Sequence, residues 1–443
     1  MSESLENQTN TPQPQVVIVG GGFGGLAAAR ALKDAPVRVT LIDRRNHHLF
    51  QPLLYQVATA ILSSADIASP IREVLRKQPN TTVAMLEVTR VDPDKRCVYF
   101  NDFDGEERSL SYDYLILATG AQQSYFGHDE FAPFAPGLKS LNDAMAVRDK
   151  LLKGFETAEV EVDPAQHHDL LTFVLVGAGP TGVEMAGAIA DMLRGTLKSD
   201  FRRVDPRSTR IVLIEGGPRI LPTFAESLSR KAHARLTRMG VEIRTNAPVE
   251  HVDAGGVIVK GERIASRTVL WTAGVTPSAA GRWLKAETDR AGRVRVRPDL
   301  TVPGRPEVFV IGDTASLDQD GKPLPGVAQV AMQQGRYAGK VIARRISGQA
   351  PLRPFRYFDK GNMSVIGRNF AILESGRLRL SGFVAWLAWA AIHLAFLPQA
   401  GNRLMVFTQW AWSYVTKQQE ARLIMEPHGP AAKPSDVKEV DAH

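Results

Sequence analysis

Twice in this chain a run of apolar, largely β-branched residues stops at a glycine-rich turn that opens into a helix-like stretch. The first run, QVVIVG (Gln15 to Gly20), enters Gly20-Gly21-Gly22-Phe23-Gly24-Gly25 and then LAAARALK. The second, Phe173 to Val176, enters Gly177-Ala178-Gly179-Pro180-Thr181-Gly182 and then VEMAGAIADML. In the spacing G-x-G-x-x-G the first glycine permits a tight turn, the second lets the backbone approach a pyrophosphate, and the third lets helix and strand pack closely. The helix N-terminus adds free amides and a partial positive charge. Each unit continues to a second strand ending in an acid able to accept from ribose hydroxyls. VRVTLID ends at Asp43, 23 residues after Gly20, and IVLIE ends at Glu215, 38 residues after Gly177. The extra segment RGTLKSDFRRVDPRST accounts for the longer interval. An unliganded glycine turn is the plainer reading of either motif alone, but strand, helix and acid together argue against it. A single dinucleotide does not need two such units, whereas two dinucleotides exchanging a hydride do.

At 443 residues the chain has room for about three domains. Its 44% hydrophobic and 23% charged residues are ordinary globular values that exclude a disordered or collagen-like protein. A single cysteine, Cys97, excludes an internal disulfide framework, a Cys-x-x-Cys redox motif and any multi-cysteine metal or iron–sulfur site. It fits a reducing compartment. Redox chemistry here has to come from a bound cofactor. His47 and His48 stand in no Cys/His/Asp constellation, so no metal is assigned. Further buried strands read from YDYLILATG (Tyr112 to Gly120), VLWTAGV (Val269 to Val275) and VFVIGD (Val308 to Asp313). Ligands collect at the carboxyl edges of such strands, where Asp313 is placed either to hold a polyol hydroxyl or to cap the next segment.

The two ends differ. Residues 1–14 read as a polar, disordered leader without the features of a signal peptide. Ser381 to Pro398, SGFVAWLAWAAIHLAFLP, lacks Lys, Arg, Asp and Glu, and a second apolar stretch runs from Leu404 to Thr416. Four of the six tryptophans lie there: Trp386, Trp389, Trp410 and Trp412. Upstream, Arg336 to Arg379 holds ten basic residues against Asp359 and Glu374, so the net charge of +7 is local to this region. Basic residues attracted to anionic headgroups and indoles at the headgroup boundary make a membrane-surface anchor. A span needs about 20 apolar residues, and the first stretch reaches only about 25 Å at roughly 1.5 Å per residue. In-plane attachment is therefore expected. A helical hairpin burying core or a dimer interface is the alternative. Residues 426–443 are a polar tail.

The chain resembles the two-dinucleotide-binding-domain flavoproteins, and within them the type II NADH dehydrogenases, single-subunit NADH:quinone oxidoreductases. The resemblance covers roughly residues 15 to 425. It rests on both fingerprints, HHLFQPLLYQVAT (His47 to Thr59), YDYLILATG, VIGDTA (Val310 to Ala315), AQVAMQQGRYA (Ala328 to Ala338) and the Trp-rich tail. The implied fold is α/β, with two Rossmann-like domains and a C-terminal helical membrane-anchoring segment. Its implied boundaries are an FAD-binding domain in two parts (15–125 and 286–345), an inserted NADH-binding domain (126–285, core 171–275) and a membrane-association region (346–425). The resemblance further implies non-covalent FAD, NADH and a membrane quinone (ubiquinone or menaquinone), a peripheral position at the cytoplasmic face of the inner membrane, anionic lipid as partner, a homodimer, and no nucleic acid.

Carried over position by position, the resemblance implies that Gly20, Gly22, Phe23, Gly24 and Gly25 hold the FAD pyrophosphate. Asp43 and Arg44 hold its adenosine end, and Val88 lies beside the adenine. Pro52 and Leu53 pack near the isoalloxazine, Ala118, Thr119 and Gly120 close over the flavin, and Gly312 with Asp313 meets the ribityl chain. Gly177, Gly179, Gly182 and Glu215 bind NADH. Ala328, Gln329 and Gln333 line the boundary between flavin and quinone. Glu184 stands near the flavin–nicotinamide contact, to orient the nicotinamide or relay a proton; a first-turn carboxylate favoured by the helix dipole is its plainer role. Gln329 and Gln333 share a helix face and offer amides to a quinone carbonyl; a polar helix face is theirs. A carboxylate at Glu215 repels a 2′-phosphate and favours NADH over NADPH, and Arg219, four residues on, is a candidate to weaken that preference. A lone cysteine disfavours the disulfide reductases and sulfide:quinone reductases of this fold. A soluble NAD(P)H-dependent reductase serving a small iron–sulfur protein, and a slow nucleotide-sensing flavoprotein, remain as alternatives.

Overall fold

The computed structural model describes residues 13–425 except 103, 417 and 420; the expected leader up to residue 12 and the tail from 426 lie outside them. The chain enters through β1 (Gln15–Val19), whose Val16, Val17 and Ile18 are fully buried. A strand covered on both faces in a parallel sheet needs this unbroken apolar run. After the first glycine turn come α1 (Phe23–Ala31), β2 (Arg38–Asp43) and a short helix α2 (Leu54–Ala58), then β3 (Thr81–Met85) and β4 (Tyr114–Leu117).

A second unit is then inserted. It begins with α3 (Leu141–Val160), which Ser140 and Asp143 cap reciprocally, the capping-box arrangement that satisfies free N-terminal amides. It continues through β5 (Thr172–Val176), α4 (Pro180–Arg194), β6 (Arg210–Ile214), α5 (Glu226–Arg238), β7 (Val241–Arg244) and β8 (Thr268–Trp271). These strands form a parallel sheet in the order β7-β6-β5-β8.

The chain returns with β9 (Thr301–Val302), β10 (Arg305–Val310) and α6 (Ala328–Ile346), completing the first sheet in the order β9-β10-β4-β1-β2-β3. Only β9 is antiparallel in it. The two connections between units run side by side, Ala121–Gln123 pairing antiparallel with Val275–Pro277. α6 packs tightly on α1: a Cβ at Gly335 would stand 2.1 Å from the Gly24 carbonyl oxygen, and one at Gly339 would stand 2.8 Å from that of Ala28.

A meander of β11 (Asn362–Val365), β12 (Ala371–Ser375) and β13 (Leu378–Gly382) leads to α7 (Phe383–Phe396) and α8 (Ala400–Thr416). Ala385, Trp389, Leu397 and Val406 from this tail join one core with side chains of α2, α3 and α4. Asn402 donates to the carbonyls of Ala65 (2.9 Å) and Asp66 (2.8 Å). Among the described residues no helix is long and apolar enough to cross a membrane.

Candidate active site

Both glycine turns have one geometry. Gly20 and Gly177 take φ of +107° and +102°, the left-handed region that side chains rarely adopt. A Cβ at Gly25 would sit 1.8 Å from the Gly20 carbonyl oxygen, and one at Gly182 would sit 1.9 Å from that of Gly177. The third glycines are thus fixed by helix–strand contact. The middle ones are not: a Cβ at Gly22 or Gly179 would meet nothing within 4 Å. Open space over an N-terminal helix turn is what an approaching pyrophosphate requires.

The acids brace these turns. Asp43 accepts from the amides of Gly21 (2.6 Å, Oδ2) and Arg45 (2.8 Å, Oδ1). Glu215 accepts from Ala178 (2.8 Å, Oε2) and Gly217 (2.8 Å, Oε1). A carboxylate oxygen has lone pairs to spare beyond one amide, so both can still accept from a ribose. The Arg219 guanidinium is tied to the carbonyls of Phe224 and Pro222, each at 2.8 Å, which holds it against its own loop.

Above the first turn lies a cleft of about 700 Å³, large enough for a dinucleotide. Its walls include Gly20, Gly22, Phe23, Gly24, Asp43 and Arg44 on one side. Val88, Ala118, Thr119, Gly120, Gly312, Asp313 and Ala328 line it as well. The inserted unit contributes Lys139, Ser140 and Asp143, with Ser278 and Trp283 from the return. The Thr119 and Ser278 hydroxyls lie 2.5 Å apart and tie the units together at the cleft. Glycines that fit only as glycine, an open N-terminus and a bracing acid all suit FAD.

Three residues to which the sequence reading gave no such role shape this wall. His48 is buried with Nδ1 3.1 Å from the Gly21 carbonyl oxygen, and its pKa is pushed down to about 4, chiefly by burial. A neutral ring donating from Nδ1 steadies the first turn. Buried Gln334 accepts from the Gly312 amide at 2.6 Å through Oε1 and so sets the turn carrying Asp313. Lys139 precedes the α3 cap. His48 and Gln334 fall in the segments HHLFQPLLYQVAT and AQVAMQQGRYA, which pointed to the site in general and not to these contacts; Lys139 had no such signal.

Other expected residues stand elsewhere. Leu53 is fully buried in the core, and neither it nor Pro52 is among the cleft's wall residues, because the 3₁₀ turn at Gln51–Leu53 directs Leu53 inward. Gln333 exchanges two hydrogen bonds with the Phe358 backbone (2.9 and 3.0 Å). Gln329 donates to the Gly361 carbonyl at 3.2 Å, while its Oε1 is buried without a partner among the described residues. With Tyr337, which donates to Arg353 (2.8 Å), this face of α6 holds the strap 353–361.

Glu184 lines a second cavity, of about 90 Å³, shared with Tyr55, Gln56, Asp191, Trp389 and Trp410. It does not line the main cleft: the helical turn after Gly182 carries it toward the tail and away from the glycine turn. Burial pushes its carboxyl up to about 8, with Ser364 and the Val365 backbone pulling the other way. Burial raises Asp191 as well. Trp410 Nε1 donates to Gln56 Oε1 (2.8 Å), and Gln56 Nε2 donates to the Tyr55 hydroxyl (2.8 Å), which links α8 to this cavity. Among the described residues no group of three or more His, Cys, Asp or Glu is placed to hold a metal ion.

Two Rossmann-like units, each with a glycine turn and a bracing acid, define a two-dinucleotide oxidoreductase. The sequence pattern of the pyridine nucleotide-disulphide oxidoreductases matches residues 14–335. The chain is 46% identical over 424 residues to the type II NADH:quinone oxidoreductase Ndh of Mycobacterium tuberculosis, covering 92% of this chain and 90% of that one. It is 32% identical to the demethylphylloquinone reductase NdbB of Synechocystis, covering 90% and 96%. The solved structure of NDH2 from Plasmodium falciparum in complex with NADH superposes with a TM-score of 0.84 at 20% identity, covering 94% of this chain and all of that one. The chain belongs to the type II NADH:quinone oxidoreductases.

Proposed function

We propose that this protein oxidises NADH and passes the electron pair to a membrane quinone from a peripheral position on the cytoplasmic face, without pumping protons. FAD is held in the larger cleft, its pyrophosphate on the Gly20–Gly25 turn and its adenosine end by Asp43, Arg44 and Val88. Thr119, Gly120, Gly312, Asp313 and Ala328 border its flavin half. NADH is held at Gly177, Gly179, Gly182 and Glu215. When bound, FAD takes the hydride from NADH and releases its two electrons to the acceptor.

The chain supplies distance, orientation and proton handling. At neutral pH Glu184 keeps a proton on its carboxyl, available to a quinone oxygen as it is reduced. Gln329, which lines neither cavity, acts through its bond to the Gly361 carbonyl. Gln333 acts by holding the strap.

One observation carries this reading: the cavity containing Glu184 is roofed by Trp389 and Trp410 from the same tail that exposes Val384, Leu404, Phe407 and Val415 on its outside. An acceptor that lives in lipid would arrive through such a roof, and a soluble iron–sulfur partner has no use for it. The test is steady-state kinetics of flavin-loaded protein with NADH or NADPH and a short-chain quinone, with and without anionic vesicles. Rapid quinone reduction, preferring NADH and accompanied by sedimentation with the vesicles, is expected. Flavin bleached by NADH but not reoxidised by quinone would overturn the assignment.

A further inference from the structure

Lys139 is a cleft cation that neither glycine motif foretells. Its backbone is fixed from both sides: the amide donates to Asp143 Oδ2 (3.0 Å), and the carbonyl accepts from Gln51 Nε2 (3.2 Å). The side chain lines the cleft. No carboxylate stands within ion-pair distance of its ammonium among the described residues, although Asp313 is near enough to attract it. The other groups around it are committed. Asp143 completes the α3 cap, and Arg293, the second cation felt by Asp313, is paired with Asp289 at 2.7 Å. A half-buried ammonium without a partner is costly, and it marks where negative charge is to be received.

Its place in the cleft identifies that charge. The acid after β2 fixes the adenosine end of the dinucleotide at Asp43, with the pyrophosphate over Gly22. Lys139 lines the same cleft as Gln51 and Asp313: its carbonyl accepts from Gln51, and its ammonium is near enough to feel the Asp313 carboxylate, the residue assigned above to the flavin half. We propose that Lys139 supplies the positive charge against which the FAD isoalloxazine is reduced. When the C4–H bond of NADH breaks and its electron pair forms N5–H on the flavin, one negative charge is added, spread over N1 and the C2 carbonyl. A fixed cation beside it stabilises the reduced form more than the oxidised one and raises the flavin's potential. Asp313 opposes it, so the two set the potential between them. This inference rests on FAD occupying the cleft.

Sulfite is the probe, since it adds to flavin N5 and leaves negative charge in the same place without NADH, quinone or turnover. Purified holoenzyme is titrated with sulfite by absorbance, and its two-electron midpoint potential is measured. An opposite charge nearby shifts such equilibria by a factor of about ten or more. Lys139→Gln should therefore bind sulfite about tenfold more weakly and have its potential lowered by about 30 mV, the two-electron equivalent of tenfold. Lys139→Arg should stay near wild type, and Asp313→Asn should bind sulfite more tightly. Unchanged sulfite affinity and potential in flavin-loaded Lys139→Gln would overturn the proposal, as would a raised KM for NADH as its only defect. If Lys139→Gln is recovered without flavin, Asp313→Asn decides: tighter sulfite binding supports the cation, and weaker or equal binding sinks it. Wild-type protein that never takes up FAD would instead defeat the cofactor assignment itself.

Discussion

Glu184 carries a proton that solvent would strip from it. Its pKa of about 8 in the fold against an ordinary 4.5 means the carboxyl binds a proton on folding. The stability this gives is complete below about pH 4.5 and is lost as the pH climbs through about 8. Glutamine cannot titrate, so the stability of Glu184→Gln relative to wild type should rise by about 1–3 kcal/mol between pH 5 and 8 and then level off. Thermal melts across that range check it; parallel curves would return Glu184 to a plain helix-end role. The same variant should keep its flavin and lose quinone turnover by tenfold or more, the scale of a lost proton donor. At the second turn, Glu215 is the proposed ribose contact, and the Arg219 guanidinium is hydrogen-bonded to the carbonyls of its own loop. Glu215→Gln should narrow the NADH over NADPH preference in kcat/KM by about tenfold, and a preference unchanged within twofold would mean another residue excludes the 2′-phosphate.

Among the elements, α1 and α6 are set by glycine. Gly335 and Gly339 lie one turn apart on α6 and let it rest on the α1 backbone. Gly335→Ala puts a methyl 2.1 Å from a carbonyl oxygen, so the helices must part, at about 1–3 kcal/mol. Since α6 also carries Gln334 on the Gly312 amide, flavin retention should fall along with the melting temperature. A variant that melts normally and keeps FAD would show that the crossing relaxes without cost. Much of this pairing was hidden in the sequence: AQVAMQQGRYA reads as a helix, yet neither its partner nor which glutamine faces it follows from periodicity. Gln329 and Gln333 did fall on one face as their spacing requires, but that face holds the strap 353–361, a contact between segments without any shared pattern.

The whole molecule joins tail to catalytic body. Truncation near Arg379 would remove Trp389, Leu397 and Val406 from the core they share with α2, α3 and α4, so loss of membrane binding in such a chain would be confounded with unfolding. Substitution on the outer face separates the two. Val384, Leu404 and Val415 are 64%, 63% and 79% exposed, and changing all three to glutamate should leave the flavin and the activity with soluble quinone near wild type. Sedimentation with anionic vesicles should drop by at least tenfold, as buried apolar area is replaced by repelled charge. Continued pelleting would move the membrane surface elsewhere on the protein.

The two nucleotide turns were legible residue by residue because their constraints are local. A left-handed turn, a helix seated on a strand and an acid at the next strand end are written within about forty residues, and close packing against the backbone admits only glycine there. Glu184, Lys139, His48 and Gln334 were decided in space. A carboxyl has an ordinary pKa, and a lysine is a solvated cation, until distant segments remove the water around it. Which segments do so depends on how the inserted unit and the tail close over the first sheet.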